Sequence, residues 1–238
     1  MSKLDLAEID VDGALQETAA VVAEGQTRAG FLRKAGMAGG ALAGAGAVLG
    51  AFAPGAMAAS SGESGGPPAA YGPGDIGILN FALALEYLES TFYNRATSHW
   101  AITDPATLAF LATTTRDERA HVAALEQALG SNAIAKPEFR FDHIPENQAS
   151  FQQTAYVLEN TGVHAYLGQL TNISTPAYLA AAGSIALIEG RHAAVIGSIL
   201  NDSPKGIAPN GPFDTPQTAE QVIGEVNATG FVVGGLPS

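Results

Sequence analysis

Between residues 75 and 200 the chain repeats one pattern four times: apolar residues recur at alternating intervals of three and four, over roughly 75–96, 105–129, 148–171 and 176–200. That is the period of a helix with one buried face. Punctuation agrees with the period. Asp75 stands as an N-cap for the first stretch, Asp104 precedes Pro105 at the start of the second, and Thr175 precedes Pro176 at the start of the fourth. No alternating run rich in Val, Ile and Thr competes with these helices, so the fold expected is all-α.

The connections set the topology. The first and second helices, and the third and fourth, are joined by short links, which favours antiparallel neighbours. Between the second and third lies Gly130 to Asn147, with Pro137 and Pro145. Fully extended, this stretch reaches roughly 55 Å, more than the about 36 Å of a 24-residue helix, so it can return the chain to the other end of the bundle. Two hairpins joined by one long crossover make a four-helix bundle. After residue 202 the tail is expected to hold one short helix beyond Thr215-Pro216 and otherwise to pack loosely.

Polar residues interrupt the buried stripes at particular places. In the fourth helix Ile185, Glu189, His192, Ile196 and Ile199 share a seam; in the second, Leu111, Glu118, His121 and Leu125 do. Leu79, Ala82, Glu86, Glu89 and Tyr93 form the seam of the first helix, and Ala155, Glu159, Gly162 and Tyr166 that of the third. Each helix therefore carries acid on its core face. A chain with 14 glutamates and 5 histidines holds ~0.3 Glu-x-x-His matches by chance. Here there are two, Glu118 to His121 and Glu189 to His192, both on seams. A glutamate and a histidine three apart on a helix aim at one point.

Burying four carboxylates unpaired costs several kcal/mol per ion, more than a marginally stable domain can absorb. Two divalent cations balance four glutamates, with two neutral imidazoles completing the shell. The chain has no cysteine, which excludes thiolate zinc, iron-sulfur clusters and disulfides and leaves a carboxylate and imidazole site suited to iron or manganese. With 23 acidic against 11 basic residues and no basic cluster, nucleic acid is excluded as a partner. The partners expected are metal ions and small oxidants. His99 and His143 fall in connections, and His164 is a packing or surface residue.

Residues 1–58 are of another character. Thr27 to Lys34 is basic, Ala35 to Ala53 is a mildly apolar run rich in glycine, and Ala56-Met57-Ala58 offers a cleavage site: the layout of an export signal, followed by a linker over 59–74. Thr27 to Lys34 resembles a twin-arginine signal, with Ala29 where the second arginine belongs. The expected location is outside the cytoplasm, periplasmic, extracellular or at the cell envelope, with membrane contact only in transit or through an uncleaved signal. The domain proper spans 75–201 and the tail 202–238.

The stretch Ile78 to Glu89 with Phe92-Tyr93, Asp117-Glu118-Arg119-Ala120-His121 and Glu189-Gly190-Arg191-His192 resembles the ferritin-like superfamily, most of all its exported members grouped with plant desiccation-related proteins. The likeness runs from about 75 to 226 and includes Pro212 to Pro216. It implies a ferritin-like bundle holding two divalent metal ions on Glu86, Glu118, His121, Glu159, Glu189 and His192, with Glu118 and Glu189 bridging. Glu89 lies on the same seam as Glu86 and rivals it as ligand. Asp117 is either a support for a histidine or a solvated flank, and Tyr93 either relays electrons or fills core. The glycines at 183, 190 and 197 suit close helix approach, and Gly162 leaves room beside Glu159. The activity implied is that of a dimetal oxidoreductase, ferroxidase-like or peroxidase/catalase-like, in stress protection. The alternative is a non-catalytic metal-binding or structural stress protein.

Overall fold

The computed structural model describes residues 65–200, 204–209 and 211–238, within a compact unit that runs from Glu63 to Ser238. The export signal, and the linker up to residue 64, lie outside the described residues. Four long helices follow the four apolar patterns: α1 (Gly74–His99), α2 (Pro105–Leu129), α3 (Gln148–Gln169) and α4 (Pro176–Leu200), then the four-residue α5 (Pro204–Ile207) and α6 (Ala219–Thr229). Among the described residues there is no strand, only two isolated bridges, Ala101 with Asn147 and Phe139 with Val232. The fold is all-α. Helices α1 and α2 pack as one hairpin, α3 and α4 as the other.

Local signals set most of the ends. Asp104 accepts a hydrogen bond from Thr107 N at 2.7 Å, Asn147 accepts from Ser150 N at 3.0 Å, and Thr218 and Gln221 form a reciprocal capping box on α6. Asp75 is an exception. It lies inside the first turn of α1, after a Pro73 cap, and its carboxylate accepts from Ser174 N at 2.9 Å and Thr175 N at 2.8 Å. It thus ties the start of α1 to the link between α3 and α4, because those exposed amides otherwise have no helical acceptor.

The crossover is pinned at both ends. Buried Asn80 donates to the carbonyls of Tyr71 and Asn132, each at 2.9 Å, and accepts from Ile134 N at 3.0 Å. Further on, Arg140 N donates to Phe231 O at 2.8 Å and Val233 N to Glu138 O at 2.9 Å, so crossover and tail pair as a two-bond ribbon. Beneath it Phe92 stacks on Phe151, ring centroids 5.6 Å apart, with Trp100, Phe110 and Phe141 around them.

The tail is not loose. Ala219, Val222, Ile223, Val226, Phe231 and Leu236 are buried in the same core as Phe92 and Phe151. Gln217 crosses α3 so closely that a Cβ on Gly168 would stand 1.7 Å from its carbonyl oxygen. Nor do the α4 glycines serve one purpose. Gly183 and Gly190 face open space, and only Gly197 answers to a close approach, with the Gly206 carbonyl of α5 2.0 Å from a Cβ there.

Candidate metal centre

All four seams meet at mid-bundle. Helix α1 is buried nearly all round from Gly77 to Ser90, and brings Glu86 and Glu89 to the centre; α3, opposite, brings Glu159. The stripes of α2 and α4 each bring a glutamate and, one turn on, a histidine. Glu86, Glu118, Glu159 and Glu189 have no exposed surface.

These side chains form two sets. Glu86, Glu118, His121 and Glu189 each offer a ligand atom within 4.8 Å of the others, and so do Glu118, Glu159, Glu189 and His192. Glu118 and Glu189 belong to both. His121 Nδ1 lies 3.3 Å from Glu86, 3.2 Å from Glu118 and 3.3 Å from Glu189, while His192 Nδ1 lies 3.1 Å from Glu118 and 3.2 Å from Glu159. Glu86 and not Glu89 therefore stands in the set of His121. Glu89, 3% exposed, belongs to neither set.

The surrounding side chains hold these groups from behind. Tyr166 OH donates to Glu86 Oε1 at 2.5 Å, and Tyr93 OH donates to Glu159 Oε1. Tyr93 is both core, packed against Phe92, Phe110 and Phe151, and partner to a glutamate. Tyr166 was on the sequence seam without an assigned part; its signal was position, seven residues after Glu159 as Tyr93 is seven after Glu86. Asp117 is a support. Its Oδ2 lies 3.3 Å from His192 Nε2, where it accepts a proton carried on that nitrogen, while Nδ1 faces the carboxylates. Burial pushes Asp117 up, but Arg116 at 2.7 Å and His192 outweigh it and hold the carboxyl below its ordinary value.

Protein groups alone leave this cluster unbalanced. Glu86 Oε2, Glu118 Oε1, Glu159 Oε2, both oxygens of Glu189 and His192 Nδ1 are buried without a hydrogen-bond partner. Such orphans are rare in folded proteins and expensive. Burial, then the neighbouring carboxylates, push Glu89 and Glu189 well above the carboxylate range. Glu118 is carried to about 8 by burial and by the charge of Glu86. Burial opposes charge on His192, yet the carboxylates of Glu118 and Glu159 close to its Nδ1 prevail and raise it to about 11. In the absence of a cation, protons take its place. The orphaned oxygens and imidazole nitrogens converging in two sets fit two cations with shared carboxylates.

A groove of about 710 Å³ runs between α2 and α4 and reaches this centre from outside. Ala106, Phe110, Thr114, Ile188 and Val195 line it, and its floor is Asp117 and His192. His99 is exposed at the end of α1, and His143 is exposed with Nε2 2.9 Å from Thr229 O. His164 is half-buried on α3, where its carbonyl accepts from Gln217 N at 3.1 Å.

A four-helix bundle with one long crossover and a buried Glu and His cluster shared among its helices is the architecture of ferritin-like proteins. The sequence model of the ferritin-like domain matches residues 74–202, more than half of the chain, and the chain belongs to that family. None of the curated proteins compared with it matches.

Proposed function

We propose that this protein is an exported dimetal oxidoreductase that reduces dioxygen or peroxide, or oxidises ferrous iron, in protection against oxidative or drying stress. One observation carries the reading: two ligand sets, completely buried at their carboxylates, share Glu118 and Glu189, whose unpartnered oxygens face both. Two ions held on shared carboxylates can change oxidation state together, which a lone site cannot do. When bound, iron or manganese supplies that redox change and a coordination position for a small oxidant.

The chain does the rest. Glu118 and Glu189, common to both sets, would be shared between the two ions, while Glu86 with His121 and Glu159 with His192 would hold one ion each. Tyr166 and Tyr93 keep one oxygen of each outer glutamate occupied, so that the other points inward. Asp117 orients His192 and holds the Nε2 proton. Packed aromatic rings above Tyr93 exclude bulk water, and the groove at Asp117 and His192 is a path for small molecules. The export signal over 1–58 supports a place outside the cytoplasm, where oxidants and desiccation act first.

The test is elemental analysis of the purified protein with peroxide-consumption and ferrous-oxidation assays on the same samples. About two iron or manganese ions per chain with turnover of either substrate is the expected outcome. Metal bound without turnover would reduce the reading to metal holding, and no metal after reconstitution would end it.

A further inference from the structure

Glu89 is a buried acid that the six-residue site does not use. It lies on the α1 seam between Glu86, which stands in the His121 set, and Tyr93, which donates to Glu159 in the His192 set. Its own carboxylate therefore emerges toward the second set. There α3 has no side chain to meet it. A Cβ on Gly162, one turn after Glu159, would stand 2.7 Å from Glu189 Oε2 and 3.5 Å from Glu89 Oε1. Two carboxylates from opposite hairpins thus converge on a notch in the backbone beside Glu159. Among the described residues no ion pair joins Glu89 to a cationic side chain, although an acid so buried costs several kcal/mol without one.

We propose that Glu89 is a seventh protein ligand of the centre, serving the metal position of Glu159 and His192 alone, from beside the Gly162 notch into which Glu189 packs. This rests on the dimetal reading. Because Glu89 lies outside both four-residue sets, it closes on that position by a turn of its side chain, past Gly162, where α3 presents no side chain. The corresponding place in the His121 half has no acid, since the residue three after Glu159 is Gly162 itself. The two metal positions are then unequal: one has an additional carboxylate and so favours the harder, more highly charged ion.

The experiment is an anaerobic Co²⁺ titration of the full chain by calorimetry and visible absorption, in two backgrounds. His121→Ala leaves one Co²⁺ in the His192 position, and there Glu89→Ala should weaken binding at least about tenfold and intensify the visible bands as a ligand is lost. His192→Ala leaves Co²⁺ in the other position, where Glu89→Ala should change neither. Glu89→Gln, which keeps the shape, should reproduce the weakening in the first background. The melting temperature of each metal-free variant is measured beside wild type, and only variants that melt cooperatively are compared, so failure to fold cannot mimic the result. Equal affinity with and without Glu89 in the first background, or an equal loss in both, overturns the proposal while two Co²⁺ bound by wild type preserve the dimetal reading. Wild type that binds no Co²⁺ overturns both.

Discussion

The His121 half of the centre and the His192 half have the same ligands and different surroundings. Glu86 and Tyr93 on α1 correspond to Glu159 and Tyr166 on α3, each pair seven residues apart, and the tyrosine of each hairpin serves the glutamate of the other. Glu118 with His121 corresponds to Glu189 with His192. The differences lie one residue or one turn away. Asp117 stands before Glu118 and reaches His192, whereas Ile188 stands before Glu189 and lines the groove; Glu89 answers to Gly162. Repetition of hairpins makes two paired sets of glutamate and histidine, and small departures from it make the two sets distinguishable.

The largest effect should come from removing what the halves share. Glu118→Ala with Glu189→Ala takes a ligand out of both sets twice over, and bound metal by elemental analysis should fall from about two per chain to none. The double variant should still fold, as melting of the metal-free form will check, because two buried acids are gone. Next is Asp117→Asn. Losing this support should weaken one of two Mn²⁺ ions about 10–100-fold and leave the other unchanged, as read by electron paramagnetic resonance of free Mn²⁺ during titration. Equal loss at both positions would contradict the asymmetry.

Protonation gives an intermediate effect. Glu118, raised to about 8, and His192, raised to about 11, bind protons more tightly in the folded chain than in the unfolded one. The stability this contributes is complete below their unfolded values, near 4.5 and 6.5, and is lost as pH rises through the folded ones. The melting temperature of the metal-free protein should therefore fall from about pH 5 to pH 8, and saturating Mn²⁺ should flatten or reverse that slope by replacing the protons. The smallest effect should come from Tyr93→Phe and Tyr166→Phe. Each removes one donor to a buried carboxylate, at about 1–3 kcal/mol and a loss of several degrees in melting temperature, and the two losses should match. A clear inequality would show that the symmetry of the halves stops at the metal ligands.

Much of this was legible along the chain because it is periodic. Three-and-four spacing laid Glu118, His121, Glu189 and His192 on seams, and caps at Asp104 and Thr218 are local chemistry that needs no distant partner. Asp75 misled for the same reason. It has the composition of a cap, but the donors it accepts from are amides about a hundred residues away, which no local rule can find. The expectation of a loose tail rested on its proline and glycine; contacts with the crossover rings of Phe139 and Phe141 and the close crossing at Gly168 make it core.

By itself, then, the sequence determined four helices, their order, and that acid would face inward on every one and imidazole on α2 and α4, since period and residue type settle which face a side chain occupies. Only the tertiary structure brought Glu86 into the His121 set and left Glu89 outside both sets, although the two share a face and differ by one turn along the axis. It also joined Asp117 to His192 and crossed each tyrosine to the opposite hairpin. Those choices depend on the axial offset between packed helices, and that offset is fixed by contacts between helices rather than by anything within one.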